Sequence, residues 1–363
     1  MDTVKWDIGW GPISQCNMHC QFCYSKSKRS NAASDLTLKD WLMFIDNNHS
    51  QIRSINYGTG ENSLSPDWFS LIEHIRCSYP EITQAVTSNG YLSEAVKNPR
   101  HMRIFLAAID EVDISLDFCD PERHGLFRGQ KNAYFWAINA MKLCQDSRKR
   151  LTLVFLGSAV NTQGKNIDGL FEIAKKYNAI VRMNIFRPMN IHDPDLKKFI
   201  LRYQDILRIL QHISERYQVL SLSDPFFSAL FSGPAETDPS GSSSLRILAN
   251  GDVTPSTYLI DGKYVLGNIS DPHVLSHISQ HDFLTQMKKN PLPHECENCI
   301  LAARCRGGVI DRRYLWNNTL EKPDPYCPGR FESYEQLPPR LKFSNKVFNS
   351  VHDGYLPTMF FQP

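Results

Sequence analysis

Three cysteines near the start of the chain, spaced CxxxCxxC, constrain its fold and chemistry more than any other feature. They are Cys16, Cys20 and Cys23, in a chain with 10 cysteines among 363 residues. Chance alone would produce such a triple only about 0.008 times in a chain of this composition. The residues around them are polar, which argues against three small side chains buried in a core. Three thiolates leave one metal position open, as an iron–sulfur cluster with an exogenous ligand requires.

A second cysteine group lies near the other end of the chain. Its spacing is CxxC, five residues, Cys, twenty-one residues, Cys, formed by Cys296, Cys299, Cys305 and Cys327. This pattern has a chance expectation of about 0.0002 and indicates a genuine metal site. Four thiolates close the coordination shell, so structural zinc and an iron–sulfur cluster both fit the spacing.

Composition excludes several classes of protein. The formal charge of +2 gives no overall field toward nucleic acid or an anionic membrane. No run of apolar residues is long enough for a transmembrane helix, and the first residues resemble neither a secretory nor a transit signal. We therefore expect a cytoplasmic protein, which binds neither nucleic acid nor membrane and keeps its thiols reduced.

Short apolar runs alternate with helical-period segments, which predicts an α/β fold with six parallel β/α units. A long amphipathic helix is predicted over 195–218, and a polar stretch at 232–244 is interpreted as a linker. The predicted domains are a barrel at 1–231, this linker, a cysteine-rich domain at 245–332 that begins with a small β unit, and a tail at 333–363. The predicted strands are Val4–Ile8, Ile52–Tyr57, Ile82–Thr87, Val112–Leu116, Leu151–Leu156 and Ile180–Ile185.

The segment CNMHCQFCYS, with the aromatic Phe22 before Cys23, resembles the signature loop of the radical S-adenosylmethionine (SAM) superfamily. The resemblance implies a partial (β/α)6 barrel of the TIM type and a [4Fe-4S] cluster on Cys16, Cys20 and Cys23. It also implies that SAM chelates the fourth iron and yields a 5'-deoxyadenosyl radical when an electron arrives. An electron donor such as flavodoxin or ferredoxin is then needed.

The same resemblance suggests residues that bind SAM besides Phe22. Gly60 and Glu61 align with the Gly-Gly-Glu segment that receives the SAM ammonium group, although Thr59 replaces the first glycine. Ser115 and Arg128 resemble positions that contact the ribose and carboxylate of SAM. The alternatives are that Ser115 caps a turn and that Arg128 is solvated.

Two further positions in this half of the chain also follow predicted strands. Arg187, after the sixth predicted strand, is an additional inward-facing candidate. Asn89-Gly90, after the third, is interpreted as a turn.

The second cysteine group resembles the carboxyl-terminal SPASM domain of radical SAM enzymes. Full members of that group hold two auxiliary clusters. Here the positions expected to ligate the inner cluster, at Pro255-Ser256, Gly267-Asn268 and 306–310, contain no cysteine. The sequence therefore predicts one auxiliary [4Fe-4S] cluster on Cys296, Cys299, Cys305 and Cys327, so that the protein holds two clusters in all.

The cluster loop and the segment NYGTGENSL resemble maturases of precursor peptides with nitrogen-fixation-type leaders. That group includes spliceases, which excise tyramine from a peptide and leave an α-keto-β-amino residue. The implied substrate is a ribosomally made precursor peptide. Because Cys16 lies so near the start, we expect a separate protein to recognise the leader peptide.

Three alternatives remain open at this stage. Cys119, if it faces the cavity, is a candidate hydrogen-atom donor for a peptide epimerase, whereas Cys77 and Cys144 fit helix patterns. A small-molecule natural-product enzyme is the second alternative. The third, from another class, is a zinc-binding adaptor without catalytic activity.

Overall fold

The computed structural model describes residues 5–27, 35–344 and 347–363. Its centre is a single sheet, and the order of strands across it is β10-β9-β8-β1-β2-β3-β4-β5-β6-β11-β7. In chain order the strands are β1 (Trp6–Trp10), β2 (Ile52–Tyr57), β3 (Thr83–Ser88), β4 (Glu111–Ser115), β5 (Arg150–Gly157), β6 (Ile180–Ile185), β7 (Gln218–Leu222), β8 (Ser244–Ile247), β9 (Asp252–Thr254), β10 (Gly267–Asn268) and β11 (Met359–Gln362).

Helices connect the strands. Within the described ranges, no helix is both long enough and apolar enough to span a bilayer. The helices are α1 (Leu38–Asn48), α2 (Pro66–Ser78), α3 (Leu92–Ala95), α4 (Pro99–Ala108), α5 (Pro121–Arg128), α6 (Ala133–Asp146), α7 (Gly164–Lys176), α8 (Pro194–Lys197), α9 (Tyr203–Arg216), α10 (Pro225–Leu230), α11 (Val274–Ile278), α12 (Asp282–Lys289), α13 (Ala302–Cys305) and α14 (Ile310–Asn317).

Strands β1 to β6 are parallel and adjacent in chain order, which confirms the predicted β/α units. They are buried along nearly their whole length, as expected for strands covered on both faces. The bounds of β2 and β6 agree with the prediction. The first predicted strand lies two residues too early, and its residue Val4 is outside the described residues.

The predicted helix over 195–218 is wrong in its extent. The structure contains the short α8, then the separate α9, then the unpredicted strand β7. Between the two helices the side chain of Phe199 turns inward and packs edge-on against Phe22 and Phe127. Its carbonyl accepts a hydrogen bond of 3.0 Å from the backbone N–H of Ala159. Phe199 therefore contacts the cysteine loop and does not continue the apolar face of one long helix.

The stretch at 232–244 is packed, although its composition predicts a linker. Asp238 and Ser240 are buried, and the Asp238 carboxylate accepts a hydrogen bond of 2.7 Å from the backbone N–H of Ile310. Ser244 begins β8, which pairs in parallel with β1, so the carboxyl-terminal region extends the barrel sheet directly. Strands β8 and β9 form an antiparallel pair around Asn250-Gly251, which confirms the small β unit predicted here. The domain limits themselves stay a prediction.

The tail at 333–363 contributes a strand that the sequence did not indicate. Strand β11 lies antiparallel between β6 and β7 and pairs with both. Just before it, His352 and Tyr355 are buried inside the sheet. The last described residues are therefore part of the wall that encloses the barrel interior.

A buried ionic cluster lies inside the barrel, and we expect it to make stability depend on pH. Burial raises the pKa of Asp113 to about 7, although Arg182 opposes the shift. The folded chain therefore binds a proton between about pH 4 and about pH 7 that the unfolded chain does not. The free energy of unfolding should fall across this window as pH rises, by roughly 2 to 4 kcal/mol from this group alone.

Asp113→Asn should flatten that dependence, because asparagine does not titrate. The measurement is denaturant unfolding of both proteins from about pH 5 to about pH 7.5. Burial lowers the pKa of His352 in the same cluster, and its Nδ1 lies 3.4 Å from the Asp113 carboxyl group, so both proteins are compared in a His352→Gln background. Parallel pH curves for the two proteins would contradict the assignment to Asp113.

Candidate active site

One cavity, of about 200 Å³, lies at the carboxyl ends of the parallel strands. Residues from β2 to β6, from β8 and from the tail face it together, so the sheet curves around it. This is the position at which barrels of this class bind ligands. Its lining residues are Cys16, Met18, Cys20, Phe22, Cys23, Tyr24, Ser25, Asn56, Gly58, Thr59, Gly60, Thr87, Ser88, Asn89, Ser115, Arg128, Val154, Phe155, Leu156, Arg182, Asn184, Phe186, Arg187, Arg246, Thr257, Tyr258, Tyr355 and Leu356.

The three-cysteine loop follows β1 and forms one side of the cavity. The end of α5 holds it, because the Arg128 carbonyl accepts hydrogen bonds from the His19 N–H at 3.1 Å and from the Cys20 Sγ at 3.5 Å. The next residue, Gly129, has a φ of +64°, and a Cβ there would lie 3.0 Å from the His19 carbonyl. Glycine thus allows the close approach of loop and helix. All three cysteines line the cavity, as the spacing predicts.

Phe22 makes the loop part of an aromatic cluster. Its ring stacks on Phe127 with centroids 4.3 Å apart and meets the edge of Phe199 at 6.0 Å. The Arg128 guanidinium lies 5.3 Å from the centre of the Phe22 ring. Phe22 therefore anchors the loop and also contributes its ring to the cavity wall.

Gly60 brings the loop after β2 against the cysteine loop. Its φ is +66°, and a Cβ would lie 2.4 Å from the Gln15 carbonyl, so a side chain there would collide with backbone. That carbonyl also accepts a hydrogen bond of 2.9 Å from the Glu61 N–H. Thr59 has a φ of +83°, unusual for a β-branched residue, and its hydroxyl bonds to that of Tyr24 at 2.9 Å.

The Glu61 side chain does not line the cavity. Its buried carboxylate accepts hydrogen bonds from the Ser63 hydroxyl at 2.6 Å, the Ser88 hydroxyl at 3.0 Å and the Asn89 backbone N–H at 2.8 Å. Burial raises the pKa of Glu61, while these donors act in the opposite direction. The structure thus gives Glu61 the role of positioning the loop after β3. Sequence reasoning expected a direct contact with SAM.

Asn89 belongs to the site, although its sequence indicated only a turn. Its side-chain amide donates a hydrogen bond of 2.8 Å to the Asn17 side chain and lies 3.8 Å from the Cys16 Sγ. The following Gly90 has a φ of +98°, and a Cβ there would lie 2.4 Å from the Ala137 backbone nitrogen. The turn is real, and its function is to carry Asn89 to the cysteine loop.

Ser115 and Arg128 both line the cavity, as expected. Arg128 is largely buried, with 13% of its side chain exposed, and donates from Nε to the Asp117 carboxylate at 2.6 Å. Asp117 also accepts a hydrogen bond of 2.8 Å from the Leu156 backbone N–H, which links β4 to β5. Burial opposes the Arg128 charge, but Asp117 and Cys20 raise its pKa overall. The arginine is therefore a fixed cation, and the alternative of a solvated side chain is wrong.

The structure contradicts the interpretation of Cys119 as a donor that faces the cavity. Its Sγ lies 2.5 Å from where a Cβ on Gly169 would be, so the thiol packs against helix α7. Cys119 is not among the residues that line the cavity in the described part of the chain. Of the other two, Cys144 is buried in α6 and Cys77 is exposed on α2.

Several cavity residues come from parts of the chain that the sequence analysis did not connect with the site. Arg187 faces the cavity as predicted, and its guanidinium lies 4.6 Å from the centre of the Tyr258 ring. Arg182, Arg246 and Tyr355 were missed. A signal existed for Arg182, because it is the one charged residue within the apolar strand β6.

The four cysteines of the second group line a second, smaller cavity beneath α10 and α13. Its other walls are mostly apolar, with Phe226, Leu301 and Phe331 among them. The Cys299 Sγ accepts a hydrogen bond of 3.4 Å from the Phe331 backbone N–H. Burial raises the pKa of the Cys296 thiol to about 11, and the other thiols add to this effect.

Burial also raises the pKa values of Cys305 and Cys327. Three of the four thiols therefore need a cationic group beside them before they ionise. In residues 5–27, 35–344 and 347–363, no three Cys, His, Asp or Glu side chains are arranged to hold a single metal ion.

Family models agree with this geometry. The model of the radical SAM superfamily matches residues 11–163, which include the cysteine loop, Gly60 and Arg128. Residues 11–163 therefore form a radical SAM domain. A second model, SPASM, described as an iron–sulfur cluster-binding domain, matches residues 239–300 of this radical SAM protein. Radical SAM domains bind a [4Fe-4S] cluster and SAM, and SPASM domains bind auxiliary iron–sulfur clusters.

Curated relatives of this radical SAM protein share low identity over much of its length. Mycofactocin maturase MftC of Mycobacterium tuberculosis (strain H37Rv) is 24% identical over 343 residues, which cover 88% of this chain and 82% of the relative. A probable GTP 3',8-cyclase of Methanosarcina acetivorans is 22% identical over 217 residues, covering 57% of this chain and 62% of the relative.

Solved structures share the fold. Streptococcus suis SuiB bound to its precursor peptide SuiA superposes with a TM-score of 0.66 at 15% identity, covering 90% of this chain and 76% of SuiB. The enzyme anSMEcpe with bound AdoMet and the Kp18Cys peptide gives a TM-score of 0.69 at 17% identity, covering 88% and 94% of the two chains. These likenesses establish the shared architecture of this radical SAM protein.

Proposed function

We propose that this chain is a radical SAM enzyme that modifies a ribosomally made peptide. The observation that carries the proposal is the shared cavity. The three-cysteine loop, Ser115 and Arg128 line it together with Thr257, Tyr258 and Tyr355 of the carboxyl-terminal part. A cofactor held by the first group would therefore share one cavity with a substrate bound by the second.

Cys16, Cys20 and Cys23 would hold the [4Fe-4S] cluster. The donor set fits, because three thiols on one loop face the cavity and no other Cys, His, Asp or Glu lines it in the described ranges. The fourth iron would thus lack a protein ligand and accept the amino and carboxylate groups of SAM. When bound, cluster and SAM together supply a 5'-deoxyadenosyl radical that abstracts a hydrogen atom from a substrate carbon.

The chain's own residues would bind SAM and exclude water. Arg128 is a permanent cation suited to the SAM carboxylate, and Ser115 offers a hydroxyl to the ribose. Gly60 leaves room for backbone contact with the ammonium group, and Phe22 screens this side of the cavity. Glu61 would act indirectly, because its carboxylate accepts the hydrogen bonds that hold Ser88 and Asn89 in place.

Cys296, Cys299, Cys305 and Cys327 would hold one auxiliary [4Fe-4S] cluster. Their thiols line a common cavity, and the model of an iron–sulfur cluster-binding domain matches residues 239–300, which include Cys296 and Cys299. Four protein ligands leave no open iron, so the cluster would relay electrons or stabilise the domain. An external donor such as flavodoxin or ferredoxin would supply the electrons.

The peptide substrate is supported by the relatives. The name of MftC describes a maturase, and the SuiB and anSMEcpe structures contain bound peptides. A separate protein would recognise the leader part of the precursor. Within this class we favour splicing by tyramine excision, which leaves an α-keto-β-amino residue, over epimerisation. An epimerase needs a donor thiol at the substrate, and the Cys119 thiol packs against Gly169.

The test is anaerobic reconstitution followed by product analysis. We expect about eight iron and eight sulfide per chain, from two four-iron clusters. Addition of SAM and reductant should release 5'-deoxyadenosine. Co-expression with a small peptide encoded by a neighbouring reading frame should then change the mass of that peptide. Splicing removes a tyramine unit, whereas epimerisation leaves the mass unchanged.

Three results would contradict the proposal in different ways. Bound zinc without colour or SAM cleavage would favour a non-catalytic adaptor. SAM cleavage with an unmodified peptide would point to a small-molecule substrate. A peptide that keeps its mass but acquires a D-residue would favour the epimerase.

A further inference from the structure

The cavity wall carries an excess of positive charge. Its lining contains four arginines and no aspartate or glutamate among the described residues. Three of the arginines are paired with a carboxylate behind the wall. These pairs are Arg128 with Asp117 at 2.6 Å, Arg182 with Asp113 at 2.7 Å and Arg187 with Asp311 at 3.1 Å.

Arg246 differs from the other three. It lies on β8, only 1% of it is exposed, and its hydrogen-bond partners are neutral: the Gly58 carbonyl and the Tyr355 hydroxyl. Its Nε is buried without a hydrogen-bond partner in the described part of the chain. An uncompensated buried charge is costly, so a guanidinium kept in this state on a cavity wall needs an anion from outside the chain.

The surroundings of Arg246 form a prepared polar pocket. The Tyr355 hydroxyl bonds to both Arg246 and the Thr257 hydroxyl. Tyr355 comes from the tail, and its ring occupies space that Gly9 leaves open, because a Cβ on Gly9 would lie 1.6 Å from the phenol oxygen. Three separate parts of the chain thus converge on one point of the wall, all through buried side chains.

Two anions belonging to the cofactors are poor matches for this pocket. The carboxylate of SAM already has a proposed partner in Arg128, next to β4. Both arginines line the same cavity, but β8 and β4 are separated by β1, β2 and β3 in the sheet, so the two guanidinium groups approach it from different strands. A cluster bound by three thiolates would carry a net negative charge, but its sulfur atoms are weaker hydrogen-bond acceptors than carboxylate oxygens and do not match the planar fork of a guanidinium. A carboxylate of the substrate is the better match for this pocket.

We infer that Arg246, with Tyr355 and Thr257, forms a subsite that binds a free carboxylate of the peptide substrate. This inference rests on the proposed function and deepens it. A carboxylate matches the planar fork of a guanidinium and can also accept a hydrogen bond from whichever hydroxyl of the Tyr355–Thr257 pair does not donate to the other. The carboxylate belongs either to the carboxyl terminus of a peptide or to an Asp or Glu side chain, and both present the same chemistry to the pocket.

The test compares matched probes on the anaerobically reconstituted protein with SAM bound. The probes are radiolabelled acetyl-Ala-Ala-Ala with a free carboxyl terminus, its amide, and acetyl-Ala-Glu-Ala amide, and binding is measured by equilibrium dialysis. At least one carboxylate probe should bind about 10-fold more tightly than the neutral amide, because a charged hydrogen-bond pair is gained. The tighter of the two carboxylates identifies its source.

Arg246→Gln should reduce this preference to below about 2-fold, whereas Arg100→Gln, an exposed control with the same chemical change, should retain it. If Arg246→Gln fails to fold, Arg246→Lys keeps the charge without the fork and should retain part of the preference. Equal binding of all three probes to wild type would overturn the inference.

Two further outcomes would also overturn it. One is an undiminished preference in Arg246→Gln. The other is a loss of SAM affinity in that variant larger than its loss of carboxylate affinity, which would assign Arg246 to the carboxylate of SAM. Failure of the proposed function would be recognised separately, as wild-type protein that lacks iron or does not cleave SAM.

Discussion

Cys16→Ala should abolish reductive cleavage of SAM, with a loss of at least about 100-fold. Its thiol is one of three that face the cavity, and the side-chain amide of Asn89 lies 3.8 Å from it. Two remaining thiols cannot hold a cubane that already keeps one iron for an exogenous ligand. The measurement is 5'-deoxyadenosine released from SAM and reductant under anaerobic conditions.

Iron content distinguishes loss of the radical cluster from general unfolding. Cys16→Ala should retain about four iron per chain, held by the second cysteine group. Cys77→Ala is the matched control, because that thiol is exposed on α2 and should leave both iron content and SAM cleavage intact. SAM cleavage by Cys16→Ala at the wild-type rate would refute the ligand assignment.

Arg312→Leu should have the largest effect on stability, about 3 to 5 kcal/mol. Arg312 is buried between two carboxylates, and it donates to Asp224 at 3.1 Å and to Asp324 at 2.9 Å and 2.6 Å. Its guanidinium also lies 5.5 Å from the Phe227 ring and 5.4 Å from the Tyr326 ring. Leucine would leave two buried carboxylates facing each other without a cation.

Denaturant unfolding of the wild type and the variant measures the loss. Arg208→Leu is the control, because its ion pair with Asp205 is on the surface and should contribute less than about 1 kcal/mol. Adding Asp224→Asn and Asp324→Asn to Arg312→Leu should recover part of the stability. A loss below about 1 kcal/mol for Arg312→Leu would contradict this account.

Arg312→Leu should affect the auxiliary cluster before it affects the cluster on the three-cysteine loop. The Asp324 carbonyl accepts a hydrogen bond of 2.9 Å from the Cys327 backbone N–H, so a displaced Asp324 moves a proposed ligand. Iron should therefore be lost from the second cysteine group before it is lost from the first.

Local patterns were sufficient to predict the parts of the fold that depend on neighbouring residues. The bounds of β2 could be read from its apolar residues Ile52, Ile55 and Tyr57, because every residue of this strand except Arg53 is buried. The cysteine loop could be recognised because its ligands lie within eight residues. In both cases the signal and the structure occupy the same short segment.

The parts that could not be predicted depend on distant partners. Strand β11 pairs with β6 across more than 170 residues, and its four residues carry no signal of their own. Glu61 was predicted to bind SAM because it aligns with the Gly-Gly-Glu segment, but its carboxylate accepts hydrogen bonds from Ser88 and Asn89. Cys119 was a candidate because it follows a strand, but its thiol packs against Gly169. The predicted helix is interrupted at Phe199 for the same reason, because that side chain packs against residues distant in the sequence.

The position of β11 has a consequence for how the protein is made. The amino end of a chain emerges from the ribosome first, so the cysteine loop and the six parallel strands emerge long before Tyr355 does. Until that residue arrives, the gap at Gly9 stays open to water and the guanidinium on β8 lacks its phenol partner. Iron delivered during translation would reach a cavity that is still open to water. Cofactor loading should therefore follow completion of synthesis, which protects an oxygen-sensitive centre during assembly.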